Sequence, residues 1–240
     1  MSEAPEPAPS EREEERPRPT SRYSLYVGVA FLVLVVVATL NTFQTQESGV
    51  LGADVTQAGT ALPEFAVPEL VGGPEGDANI YQDDCATAEN PCPAEQQRDP
   101  ACALELDRVI RVCDLFDRPL LLSFWFSNPS DCPPTQDVVD EAYRRYGDRV
   151  NFLSVAIRGE RPELEEIVRQ RGWQMPLGWD RDGAVSNLYR VGLCPTVAYV
   201  LPGGILHEAK IGADELTAER LAAGIEGLLE ESATRAEEER

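Results

Sequence analysis

Six cysteines and one histidine carry most of the nucleophilic side-chain chemistry open to this 240-residue chain. Cys85, Cys92, Cys102, Cys113, Cys132 and Cys194 are an even set, and such sets pair as disulfides in an oxidising compartment. Thiol-disulfide exchange is the chemistry they could support, with a thiolate as nucleophile. No CxxC knuckle occurs among them, so Cys85, Cys92, Cys102 and Cys113 do not read as a zinc site, and no metal or cofactor is expected. A Ser/His/Asp triad would need His207, which lies in the alternating stretch ILHEAK with no nucleophile motif nearby. The 42 acidic side chains outnumber 21 basic ones, and a net charge of −21 repels phosphate, so nucleic acid is not an expected partner.

The compartment follows from the residues ahead of the cysteines. Tyr23 to Gln46 holds no charged residue, and VGVAFLVLVVVATL at its centre is almost wholly aliphatic. About 20 apolar residues cross a hydrocarbon core of about 30 Å, so residues 23–43 are expected to form a transmembrane helix, with Tyr23, Tyr26 and Phe43 near its ends. Arg12, Arg16, Arg18 and Arg22 precede the span and no base follows it until Arg98. The amino terminus is therefore expected in the cytoplasm and the remainder outside, held by an uncleaved single-pass anchor rather than a cleaved signal peptide.

Residues 1–22 are Pro-, Glu- and Arg-rich and read as a solvated cytoplasmic tail; 44–60 read as a small, polar linker. The globular domain is expected over 61–232, with 233–240 a charged frayed end. Within it PLLLSFWF and VNFLSVAI read as buried strands. TQDVVDEAYRRYG and PELEEIVRQRGW read as helices, TVAYVLP and ILHEAKIG as a hairpin turning at Gly203-Gly204, and ADELTAERLAAGIEGLLEE as a closing amphipathic helix. The pattern predicts an α/β domain with a mixed sheet covered on both faces. Trp125, Trp173 and Trp179 read as packing residues, and ELEE at 163–166 as a solvated helix face.

Over roughly 61–230 the chain resembles the membrane-anchored thioredoxin-like proteins of bacterial envelopes, the TlpA/ResA type. PLLLSFW, YGDRVNFLSVAI, WDRDGAVSNLYRV and above all CPTVAYVLPGGIL carry the resemblance. It implies a thioredoxin-like fold, protein thiols or disulfides of the envelope as partners, and Pro195 as a cis-proline presenting substrate backbone. The family's two cysteines, spaced two apart after FW, are reduced here to Cys132 in FWFSNPSDCPPT. Aligning CPPT with the family's frequent CPPC requires three extra residues; the gapless register instead puts Pro129 at the attacking position and Cys132 at the resolving one. Ser123 stands where classical thioredoxins hold a buried acid. Helix-terminal amides favour a thiolate at Cys132, Asp131 and Asp137 oppose it, and no Lys, Arg or His lies within six residues.

The residue before the cis-proline is Cys194, which in that fold faces the active-site loop. The resemblance thus implies a Cys132–Cys194 pair in place of CxxC, with Cα atoms about 4.4–6.8 Å apart. CALELDRVIRVC has helical spacing, yet one helix would hold Cys102 and Cys113 about 16 Å apart, too far to bond. Ungapped comparison with the family instead implies a hairpin, ALEL and VIRV turning at Asp107-Arg108, with Cys102 and Cys113 as a structural pair. Cys85 and Cys92 flank ATAENP and are expected to close a small structural ring, one of 15 connectivities that six cysteines allow. Three functions stay open: thiol-disulfide exchange through Cys132 and Cys194, a redox-inactive binding module with structural disulfides, and a peroxiredoxin-like peroxidase on Cys132, for which Pro129 stands in place of the expected Thr.

Overall fold

A computed structural model describes residues 26–27, 29–33, 35, 58–76, 79–80, 100–128 and 132–238. The chain divides into two units, Met1–Glu47 and Ser48–Arg240. In the first, the described residues are helical, and the side chains of Tyr26, Phe31 and Leu32 are exposed. Among the described residues no helix is long and apolar enough to cross a membrane, and the expected 23–43 span is described only at 26–27, 29–33 and 35.

The second unit is built on a five-stranded sheet, ordered β6-β5-β4-β7-β8. Its strands are β4 (Leu120–Trp125), β5 (Asn151–Ile157), β6 (Leu177–Asp180), β7 (Thr196–Leu201) and β8 (Ile205–Ile211). β4, β5 and β6 run parallel, and β7 and β8 are antiparallel additions beside β4. Every residue of β4, β5 and β7 is buried, the burial expected for apolar runs covered on both faces. Side chains alternate along β4. Leu121 and Trp125 join Val139, Tyr146, Leu221 and Ile225 on one face; Leu120, Leu122 and Phe124 join Phe65, Val67, Val112 and Val185 on the other.

The first face is covered by α1 (Cys132–Tyr146) and α4 (Ala218–Glu238). α2 (Arg161–Arg171) carries a proline in its first turn and ends at Gly172, whose φ of 67° fits the left-handed C-terminal cap. α3 (Ala184–Leu188) is short and held at its start by Asp180, fully buried, whose carboxylate accepts from the amides of Val185 and Ser186. Burial pushes that carboxyl above the usual carboxylate range, and the two amide donors pull it back.

A three-stranded antiparallel sheet packs on the second face, with β1 (Phe65–Pro68) between β2 (Asn79–Ile80) and β3 (Val109–Arg111). Here the expected hairpin of ALEL and VIRV is corrected. β3 pairs with β1, Val67 opposite Ile110, while Cys102 and Cys113 lie in separate 3-10 turns, Ala101–Ala103 and Val112–Leu115. Arg111 replaces the missing strand ladder, its guanidinium donating to the carbonyls of Cys102 and Leu104. The charged end expected at 233–240 is described to residue 238 and is exposed over 233–238. α4 continues to Glu238, with Arg235 paired to Glu231 one turn back and the Thr234 hydroxyl donating to the Glu230 carbonyl.

Candidate functional site

The topology brings Cys132 and Cys194 to one end of the sheet. β4 ends at Trp125 and leads into α1, which opens on Cys132; β7 runs antiparallel to β4, with Thr196 opposite Phe124, so the residues just before β7 lie where α1 begins. Cys132 and Cys194 are joined in a disulfide with their Cα atoms 5.7 Å apart. The Cys194–Pro195 peptide is cis. The bend is fastened on both sides, the Thr196 hydroxyl donating to the Leu193 carbonyl at 2.7 Å and the Gly212 amide to the Pro195 carbonyl at 2.9 Å.

The two sulfurs have unlike surroundings. Cys132 is 2% exposed and belongs to the core with Trp125 and Val139, whereas Cys194 is only partly buried and follows Leu193, which is 53% exposed. The Phe126 amide donates to Cys132 Sγ at 3.1 Å. Helix-terminal amides were the expected donors, but Pro133 and Pro134 in the first turn have no N–H to offer. The Thr135 hydroxyl donates to the Cys132 carbonyl at 2.6 Å and so fixes the turn.

The acids flanking Cys132 divide between described and undescribed residues, since Pro129, Ser130 and Asp131 lie outside the described set. Asp137 is compensated by residues far away in sequence: its carboxylate accepts from Arg171 and from Trp173 Nε1, each at 2.7 Å. Asp140, buried one turn along from Gln136, accepts from the amides of Gln174 and Met175 and pairs with Arg144. These two carboxylates dock the loop after α2 onto α1 and set Trp173 edge-on to Trp125, ring centres 5.1 Å apart. No sequence spacing relates Asp137 to Arg171 and Trp173, and sequence reasoning missed both partners.

One turn along α1 from Cys132 lies a buried, uncharged polar cluster. Ser123 and Ser154, on adjacent strands, both donate their hydroxyls to Gln136 Oε1, at 3.0 and 2.9 Å. All three side chains are fully buried, and Gln136 Nε2 has no partner. Gln136 is four residues along α1 from Cys132, on the same helix face.

Cys102 and Cys113 are bonded at a Cα separation of 5.9 Å, behind the small sheet. Glu64 lies close enough that its carboxylate and the two sulfurs fall within 4.8 Å of one another. With both sulfurs joined to each other, the trio offers no thiolate to a metal. Cys85 and Cys92 lie outside the described residues.

No protein-family model matches the chain. It is 27% identical over 119 residues to the thiol-disulfide oxidoreductase ResA of Oceanobacillus iheyensis; the match covers 49% of this chain and 61% of that protein, under two thirds of its length. A solved structure assigned as the thiol:disulfide interchange protein DsbE of Chlorobium tepidum superimposes with a TM-score of 0.53 at 17% identity, covering 72% of this chain and 99% of that one. A thiol:disulfide interchange protein from Bacteroides sp. gives a TM-score of 0.51 at 13% identity, over 73% of this chain and 92% of that one. At such identities the structural likeness speaks for the fold, and the fold is thioredoxin-like.

Proposed function

We propose that this chain is a membrane-anchored, extracytoplasmic protein that exchanges disulfides with the thiols or disulfides of envelope proteins through Cys132 and Cys194. The observation that carries the reading is the position of that one bond: it joins the amino terminus of α1 to the residue before the cis-proline, with one sulfur partly open to solvent. The similarity to ResA supports it. Pro195 is then the residue beside which partner backbone is presented, and Cys102–Cys113 together with Cys85–Cys92 are structural.

The anchor belongs to the same reading. Residues 23–43 have the length and apolarity to span a bilayer, and the exposed Phe31 and Leu32 offer apolar surface that lipid would cover. The arginines before the span orient the amino terminus to the cytoplasm and leave the domain in the oxidising compartment its disulfides need.

The deciding experiment is disulfide mapping under non-reducing conditions, followed by titration of the full chain against a glutathione couple. Exchange requires Cys132–Cys194 to open well above about −300 mV, the range in which structural bonds of secreted proteins resist reduction. A bond that stays closed down to that potential would leave a redox-inactive binding module, a second reading that the burial of Cys132 favours. Sulfenic acid at Cys132 on adding peroxide would move the reading to a peroxidase.

A further inference from the structure

We infer that the pair is polarised in the opposite sense to a helix-terminal nucleophile: Cys194, in the bend, is the sulfur that bonds to the partner, and Cys132, at the helix start, is the buried leaving and resolving thiol. The inference rests on the exchange reading above and adds the order of events to it.

Access decides the first step. A thiolate must approach one sulfur along the S–S axis, from the side opposite the leaving sulfur. Cys132 is 2% exposed, enclosed by core side chains and followed by the buried Pro133, so a protein thiol has no route to it. Cys194 is partly exposed, and Gly192 and Leu193 before it are exposed, so a partner reaches its sulfur across that bend.

The leaving side is equally asymmetric. When a partner thiolate attacks Cys194 Sγ, the new S–S bond forms there, the Cys132–Cys194 bond breaks, and the electron pair departs on Cys132 Sγ as a thiolate. That sulfur already faces the Phe126 N–H at 3.1 Å, a fixed donor to the charge it acquires. A second thiol of the same partner, deprotonated by solvent, then attacks its own sulfur in the mixed disulfide and releases Cys194 as a thiolate. The partner dithiol is oxidised by two electrons and the Cys132–Cys194 pair is reduced by two. In reverse, the Cys194 thiolate attacks a partner disulfide, and Cys132 resolves the mixed disulfide from within.

The apolar Leu193, 53% exposed, stands beside Cys194 on this bend. An extended partner segment with an apolar side chain next to its cysteine suits it.

The test uses the full chain in detergent. Reduced wild type is treated with limiting iodoacetamide and mapped by peptide mass. Cys194 is expected to be alkylated at least about tenfold faster than Cys132, and the ratio to fall towards one in urea, because accessibility sets it. In parallel, Cys132→Ser and Cys194→Ser are exposed to oxidised glutathione. Cys132→Ser is expected to accumulate a glutathione mixed disulfide at Cys194, with Cys194→Ser slower at Cys132 by a similar factor. Equal rates, or Cys132 reacting first in folded wild type, overturn the polarity while leaving exchange intact. A wild-type pair that no dithiol opens in the folded protein refutes exchange itself, and the polarity with it. The wild-type measurement stands even if a serine variant misfolds.

Discussion

Ser123, Gln136 and Ser154 place three polar groups one helical turn from the Cys132–Cys194 bond without a titratable atom among them. On the exchange reading proposed above, proton traffic falls to solvent at Cys194, and the rate should rise with pH along one thiol titration with no carboxylate limb; stopped-flow exchange across pH 5 to 9 measures this. Gln136→Glu should add such a limb. A carboxyl buried there is raised above its ordinary range by desolvation, so its stabilising neutral form prevails at low pH and stability falls as pH rises through the shifted value. Asp180 follows the same sign. Its raised carboxyl favours the fold fully below the ordinary carboxylate range and loses that contribution as pH rises, so Asp180→Asn should flatten the difference between unfolding curves at pH 4 and pH 7. Asp180→Ala should cost about 1–3 kcal/mol in denaturant unfolding by orphaning the amides of Val185 and Ser186. At this scale the Cys132–Cys194 bond could be read from the chain, because each cysteine occupies a position the family resemblance marks. The Phe126 donor could not, since a main-chain amide leaves no trace in residue identity, and the Asp137 partners lie beyond any local spacing.

Among the elements, β4 and β7 fix the site, and the run PLLLSFW declares β4 by apolarity alone. The small sheet was harder to read. VIRV has strand character, but its partner is β1, some forty residues earlier, and nothing local distinguishes that pairing from a hairpin with ALEL. The Arg108 φ of 58° bends the chain before β3, and its guanidinium is spent on Glu69 and the Val71 carbonyl, tying β3 to the segment after β1. The small sheet meets the large one at Gly178, where an added Cβ would sit 2.5 Å from Val67 Cγ2. Gly178→Ala is therefore expected to destabilise by about 1–3 kcal/mol through overpacking, read from the denaturant midpoint. Replacing Cys102 and Cys113 together by alanine should cost about 2–4 kcal/mol by loosening the turns that close on β3. Exchange at Cys194 should persist if the domain stays folded.

For the whole molecule, two properties can be tested on intact protein. The full chain should remain with membranes after alkaline carbonate washing, and a chain beginning at residue 44 should not; recovery of the full chain in the wash would remove the anchor from the reading. The Cys132–Cys194 bond joins residues 62 apart, and by chain entropy alone closing such a loop stabilises the fold by about 4 kcal/mol. The Cys132→Ser/Cys194→Ser protein should therefore unfold at clearly lower guanidinium than the oxidised wild type. The same bond makes a covalent ring of everything from α1 to the cis-proline, taking in β5, α2, β6 and α3. A protease cut anywhere between residues 147 and 193 consequently leaves one continuous molecule while the ring is closed and two separable pieces once it is reduced. The clipped chain would carry its oxidation state in its connectivity.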